Sequence, residues 1–145
     1  MSAFLSDLIA RRTAGVWTLE APLKYQSDRL GFLVTVPADF RTDLASVPRL
    51  PLAFLLAGDT AHEAAVVHDY LYQAHTALGV ARDDADYVFW EAMNVSRPPE
   101  PAWRRWLMWS QVRLWGWSAW ETAMSRRQYL NPGPHARSFW QGLSR

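Results

Sequence analysis

Short apolar segments of strand type come first along this chain, and repeats of helical spacing follow them. Trp17–Tyr25 and Leu30–Val36 are rich in β-branched and aromatic residues, with turn formers at Gln26-Ser-Asp-Arg29 between them, and this pattern predicts two strands. Pro37 closes the second because its nitrogen has no hydrogen to give to a ladder. Residues 3–11 predict a short helix. Asp39–Pro48 reads as a polar loop, and Gly58-Asp59-Thr60 reads as a helix entry with Asp59 or Thr60 as N-cap and Glu63 near the third position. A helix is expected from about Ala61 to Thr76, ended by Gly79, with His68, Tyr72 and His75 on one face by three-to-four spacing. Asp83 or Asp84 is expected to cap a second helix running to about Met93. The breaker Ser96-Arg-Pro-Pro-Glu-Pro101 then precedes a third helix over roughly Ala102–Met124, with Gly116 as its weak point. The expected fold is α+β: a small N-terminal antiparallel sheet, then three main helices, two of them an antiparallel pair.

Composition narrows the function classes. A chain of 145 residues, half of them hydrophobic, suits one domain over 1–145 with a real core. The stretch 130–145, with Asn131-Pro-Gly-Pro134, is expected to be an irregular tail. No apolar run reaches the roughly 18–20 residues of a membrane span, and the start Met-Ser-Ala-Phe-Leu-Ser-Asp lacks the pattern of a secretory signal. Cysteine is absent, which removes disulfides, thiolate metal sites and cysteine nucleophiles, and suits a reducing cytoplasm. The net charge of +1 does not indicate a nucleic-acid binder. The charge is uneven: residues 100–145 carry +5 and residues 1–99 carry −4.

The candidate chemistry lies in Val66-Val-His-Asp-Tyr-Leu-Tyr72 and Ala85-Asp86-Tyr87-Val88-Phe89. Neighbouring helix residues point about 100° apart, so His68 and Asp69 can serve different partners. His68 can act as a general base, and Asp86 from the next helix can accept the other ring N–H and fix the tautomer. Asp69, with Asp43 and other oxygens of the upstream loop, suits a hard cation such as Ca²⁺. The competing reading is a buried polar pair that cross-links two helices. For Asp43 the competing reading is a turn in which its carboxylate bonds its own loop. His62 and His75 read as surface or rim residues. A zinc site from His62, His68 and Asp69 is the lesser alternative, because the spacing fits no standard signature.

Six of the nine tryptophans lie between Trp103 and Trp120. Trp103, Trp106, Ser110 and Trp117 form one stripe of the third helix, and Trp109, Trp115 and Trp120 lie on other faces. Such a helix is expected to be buried from several sides. Trp106 and Trp117, with Arg104 and Arg105, are also candidates for binding a partner or a membrane surface.

His-Asp-x-x-Tyr on one helix and Ala-Asp-x-x-Phe on the next resemble the catalytic helices of secreted phospholipase A-two enzymes, and more so the cysteine-free version in parvovirus capsids. The resemblance covers about residues 64–93. It implies His68 as base, Asp69 as Ca²⁺ ligand, Asp86 as the group orienting the histidine, and Tyr72 as the brace of Asp86. The chain departs from that family's glycine-rich Ca²⁺ loop, having Gly58 alone in Pro48–Asp59.

Phe40-Arg-Thr-Asp-Leu-Ala-Ser-Val-Pro-Arg49, Ala65-Val-Val-His-Asp-Tyr-Leu-Tyr72, Ala85-Asp86 with Phe89, and Trp103-Arg-Arg-Trp-Leu-Met108 resemble, across most of residues 30–120, a phage and prophage family known as domain of unknown function family 1353. That resemblance implies a phage-encoded protein from structural, tail or lysis genes, made in the host cytoplasm and in some cases virion-associated. Its expected partners are phage structural proteins or the host envelope. The functional expectation is a hydrolase-like, phospholipase- or esterase-type site acting on lipid or cell envelope. The alternatives are a non-catalytic virion or tail component with a structural His-Asp staple, and a small protein that binds a host factor through its Trp-rich helix.

Overall fold

The computed structural model describes residues 1–42, 61–96 and 98–130. Strands precede helices, in the expected α+β order: β1 (Ala3–Phe4), β2 (Ala10–Thr13), β3 (Val16–Leu19), β4 (Leu23–Gln26), β5 (Leu33–Val36), β6 (Arg41–Thr42), α1 (His62–Leu78), α2 (Arg82–Val95) and α3 (Ala102–Leu130). The strands divide into two antiparallel three-stranded sheets, ordered β1-β4-β5 and β2-β3-β6.

The helix expected over residues 3–11 does not form, because the segment pairs with later strands. Ala3 and Phe4 face Gln26 and Tyr25, and Ala10–Thr13 run against Leu19–Val16. The second pairing is set by a two-residue hairpin turn at Ala14-Gly15, where φ is 51° and 83°. Left-handed backbone at both central positions matches the twist of the flanking strands. The single strand expected over Trp17–Tyr25 is two, separated at Glu20–Pro22. Pro22 cannot donate to a ladder, and Ser6 secures the break: its hydroxyl donates to the Pro22 carbonyl at 3.2 Å and accepts the Lys24 N–H at 2.8 Å. β5 ends at Val36 before Pro37, as expected.

The core forms where the inward side chains of β4 and β5 meet the helices. Leu23 and Tyr25 on β4 and Val34 and Val36 on β5 are buried at every second position, the spacing of a half-buried strand. Above them α1 buries Ala64, Ala65, Val66, Val67, Leu71 and Tyr72, and α2 buries Ala85, Val88, Phe89, Ala92 and Met93. α1 ends as the sequence predicts: Gly79 is left-handed at φ 66°, and its N–H bonds the His75 carbonyl. Glycine takes that conformation without a Cβ penalty.

The expected caps differ. The N-cap of α1 is Ala61, with no side-chain hydrogen bond, and Asp59 and Thr60 lie outside the described residues. The N-cap of α2 is Ala81, also without a side-chain bond, and Asp83 and Asp84 sit just beyond it in the first turn. There their charge still complements the positive end of the helix. Only three residues, 79–81, join α1 to α2, so the two helices pack side by side. α3 runs to Leu130, past the expected end, and the tail expected to be irregular lies almost wholly outside the described residues. No described helix is long and apolar enough to cross a membrane.

Candidate functional site

Asp86 is the centre of a buried polar cluster assembled by three helices. Its position on α2 aims it at α1, where His68 and Tyr72 stand four residues apart on one face. His68 Nε2 is 3.1 Å from Asp86 Oδ1, and the Tyr72 hydroxyl donates to the same oxygen at 2.5 Å. The other oxygen, Oδ2, accepts Arg113 Nη1 from α3 at 3.0 Å. Arg82, one turn before Asp86, holds its Nε 3.5 Å from Oδ2, ion-pair contact rather than a hydrogen bond. The sequence-derived trio of His68, Asp86 and Tyr72 is therefore brought together.

Burial and charge set the state of each group. The side chains of His68 and Asp86 are fully buried. Burial pushes the Asp86 carboxyl up. The hydrogen bonds from His68, Tyr72 and Arg113 outweigh that, and the carboxyl is held below its ordinary value. Tyr72 moves the opposite way: burial, and then its bond to the Asp86 carboxylate, hold the phenol well above its usual range. Arg113 also bonds the exposed Asp83 at 2.5 Å, and this contact above all raises its already high value. Arg113 therefore links the buried acid to the molecular surface.

An ionised Asp86 can only accept, so Nε2 of His68 carries a hydrogen, and in the neutral imidazole the lone pair is then on Nδ1. Nδ1 has no hydrogen-bond partner among the described residues. The ring packs between Tyr72, at 4.1 Å between centroids, and Phe89, at 5.1 Å. These contacts and the Asp86 bond leave the imidazole one orientation, with Nδ1 pointing away from its carboxylate.

Asp69 faces a different sector, as expected for the next helical position. It is buried and accepts the hydroxyl of Thr42 on β6. Asp43 lies outside the described residues. No group of three or more histidine, aspartate or glutamate side chains among the described residues is placed to hold a metal ion, so His62, His68 and Asp69 do not assemble the zinc alternative. His75 is a correction: it is buried rather than at the rim, donates from Nδ1 to the Tyr72 carbonyl at 2.8 Å, and stacks on Trp120 at 4.0 Å.

Among its described side chains, the Trp-rich helix is buried on one face. Met108, Val112 and Gly116 are buried, with Trp109 and Trp120 packed against the core, whereas Trp103, Trp106 and Trp117 stand out in solvent. Arg104 pairs with Glu100 at 3.1 Å and Arg105 with Asn94 at 2.5 Å. Glycine at position 116 lets α3 lie close over the cluster. A Cβ there would lie 2.6 Å from the Tyr72 hydroxyl, so a larger residue forces that hydroxyl or the helix to shift.

The contacts of Arg82, Arg113 and Gly116 with the cluster, and of Thr42 with Asp69, were not foreseen from the sequence. The four-residue spacing of Arg82 and Asp86 was an available signal. Arg113 meets Asp86 only through the packing of α3, which no local pattern shows.

Fold and site together define a small α+β domain whose three helices enclose a buried His–Asp pair braced by a tyrosine and two arginines. The chain belongs to the family described as protein of unknown function (DUF1353), whose profile matches residues 17–112. That span includes His68, Asp69, Tyr72 and Asp86. No curated protein and no solved structure matches the chain.

Proposed function

We propose that the cluster is a hydrolytic site of esterase or phospholipase type, with His68 as general base. The supporting observation is the polarity of the imidazole: Nε2 is held by Asp86, itself braced by Tyr72, while Nδ1 is unpartnered among the described residues. In the step this geometry suits, Nδ1 takes a proton from water as the water oxygen bonds to the ester carbonyl carbon. The imidazolium then returns the proton to the leaving alkoxide as the C–O bond breaks. Asp86 stays ionised throughout and supports the positive ring. Because the ring is buried, the step requires an opening that admits water and ester to Nδ1. A phage-encoded origin, carried over from the family resemblance, makes a lipid or cell-envelope ester the substrate class.

Asp69 is the residue that would hold Ca²⁺. The described residues supply this one carboxylate, already bonded by Thr42, against the six to eight oxygens the ion takes, so no step is routed through a metal. Calcium at Asp69 with Asp43 is a separate proposal: millimolar Ca²⁺ should raise the thermal midpoint of the wild type and not of Asp69→Asn, and an equal response in both would remove it.

The complete burial of His68 and Asp86 favours a second reading, a structural staple in a non-catalytic phage component. Hydrolysis of short-chain ester and phospholipid substrates by wild type and His68→Gln separates the two. The hydrolytic reading expects a loss of roughly 10²-fold or more with the thermal midpoint little changed. Absence of any turnover that depends on His68, together with a large drop in that midpoint, leaves the staple.

A further inference from the structure

The outward face of α3 carries a row of exposed apolar side chains. Trp103, Trp106, Leu114 and Trp117 are each more than half exposed there, and Leu107 is about a third exposed. At about 1.5 Å per residue this stripe is roughly 21 Å long. The buried positions Met108, Val112 and Gly116 lie on the opposite side, so the face takes no part in the core.

The stripe is symmetric about Ser110. Trp103 stands seven residues before it and Trp117 seven residues after it, while Trp106 and Leu114 stand four residues to either side. Seven residues are close to two helical turns, so all five positions share one seam. A two-fold axis at Ser110 would lay two copies of the helix antiparallel, with Trp103 against the second copy's Trp117 and Trp106 against its Leu114. A small residue at the crossing point lets the two helices approach closely, as ridge-into-groove packing requires.

We infer that this face is a self-association surface, joining two copies of the chain through antiparallel α3 helices crossing at Ser110. The inference is independent of the hydrolytic reading. At about 150–250 Å² per aromatic side chain, the exposed fractions leave on the order of 400–500 Å² of apolar surface on each copy. Two such faces bury about 800–1,000 Å², at the lower edge of specific interfaces. An interface of this size is expected to form a reversible, concentration-dependent pair. An anionic membrane suits the face less well, because Arg104 and Arg113 beside it are already ion-paired within the chain, to Glu100 and to Asp83 and Asp86.

The absence of native cysteine gives a direct test on the full chain. Ser110→Cys, a near-isosteric change on the axis, should form a disulfide-linked dimer on mild oxidation at on the order of 100 µM, within the bridging distance of two thiols. Ser118→Cys, exposed on the same helix, would lie about 24 Å from its own mate and should stay monomeric. Sedimentation equilibrium should show a concentration-dependent wild-type dimer and a monomeric Ser110→Arg, with matching circular dichroism. A wild type that stays monomeric over this range overturns the inference, including one that instead sediments with anionic phospholipid vesicles. Equal cross-linking of Ser110→Cys and Ser118→Cys also overturns it.

Discussion

His68, Tyr72 and Asp86 differ from ordinary core residues in that His68 and Tyr72 share one oxygen of a buried carboxylate whose other oxygen is held by Arg113, with Arg82 close by. A buried carboxylate receiving one phenol, one imidazole and two guanidinium contacts stabilises the fold only while the set is whole. Asp86→Asn should cost about 3–5 kcal/mol in urea unfolding, because Arg113 and Arg82 then face a neutral partner. Tyr72→Phe should cost about 1.5–3 kcal/mol, the range for a hydrogen bond to a charged group. If Asp86→Asn instead unfolds at the wild-type urea midpoint, the cluster contributes nothing to stability. This trio was legible because its spacing is local: four residues on α1, and one short connection to α2. Arg113 was not, since its contact with Asp86 spans 27 residues and depends on where α3 lands. Thr42 was nearly legible. The sequence pointed to Asp43 in the expected loop Asp39–Pro48 as the partner of Asp69, and the described contact falls on Thr42 of the same stretch, one residue earlier.

Helix periodicity and end signals placed the elements well where local chemistry dominates. Gly79 stops α1, Pro37 follows the last residue of β5, and the breaker before α3 fixes its start. Local signals failed over residues 3–11, where a helix-compatible composition is overridden by pairing with β3 and β4. They also failed on α3, whose all-round aromatic pattern suggested burial from several sides although its described side chains meet the core on one side. The docking of that helix can be tested by sign. In a free helix Gly→Ala gains about 1 kcal/mol. Here Gly116→Ala should destabilise by roughly 1–3 kcal/mol, since the new methyl meets the Tyr72 hydroxyl. In the double variant with Tyr72→Phe, much of that loss should be recovered, giving a coupling above about 0.5 kcal/mol in a double-mutant cycle. Strict additivity would mean that the two residues do not touch in solution.

For the whole molecule, the depressed Asp86 carboxyl makes stability depend on pH in one direction. The unfolded chain titrates this group near the ordinary value of about 3.9, and the folded chain titrates it lower. The folded state thus binds fewer protons, and its extra stability is complete above about pH 4 and lost as pH falls through the folded value. Acid unfolding followed by circular dichroism should show a steep fall below about pH 4 in the wild type. Asp86→Asn should start lower and fall less steeply. Equal slopes would place the acid sensitivity in other carboxylates. The α+β order was readable from the chain because strand-type segments and helical repeats do not overlap in sequence. The division into two sheets was not, since it depends on Glu20–Pro22 turning the chain from one ladder to the other.

The contact between Gly116 and the hydroxyl of Tyr72 also constrains how the chain can drift. In any relative whose chain continues through this third helix, a side chain acquired at the glycine position should be accompanied by phenylalanine or a smaller residue at the tyrosine position. Substitutions at these two sites, 44 positions apart, should therefore arise as a pair, and the order in which lineages acquire them should run from loss of the hydroxyl to gain of the methyl.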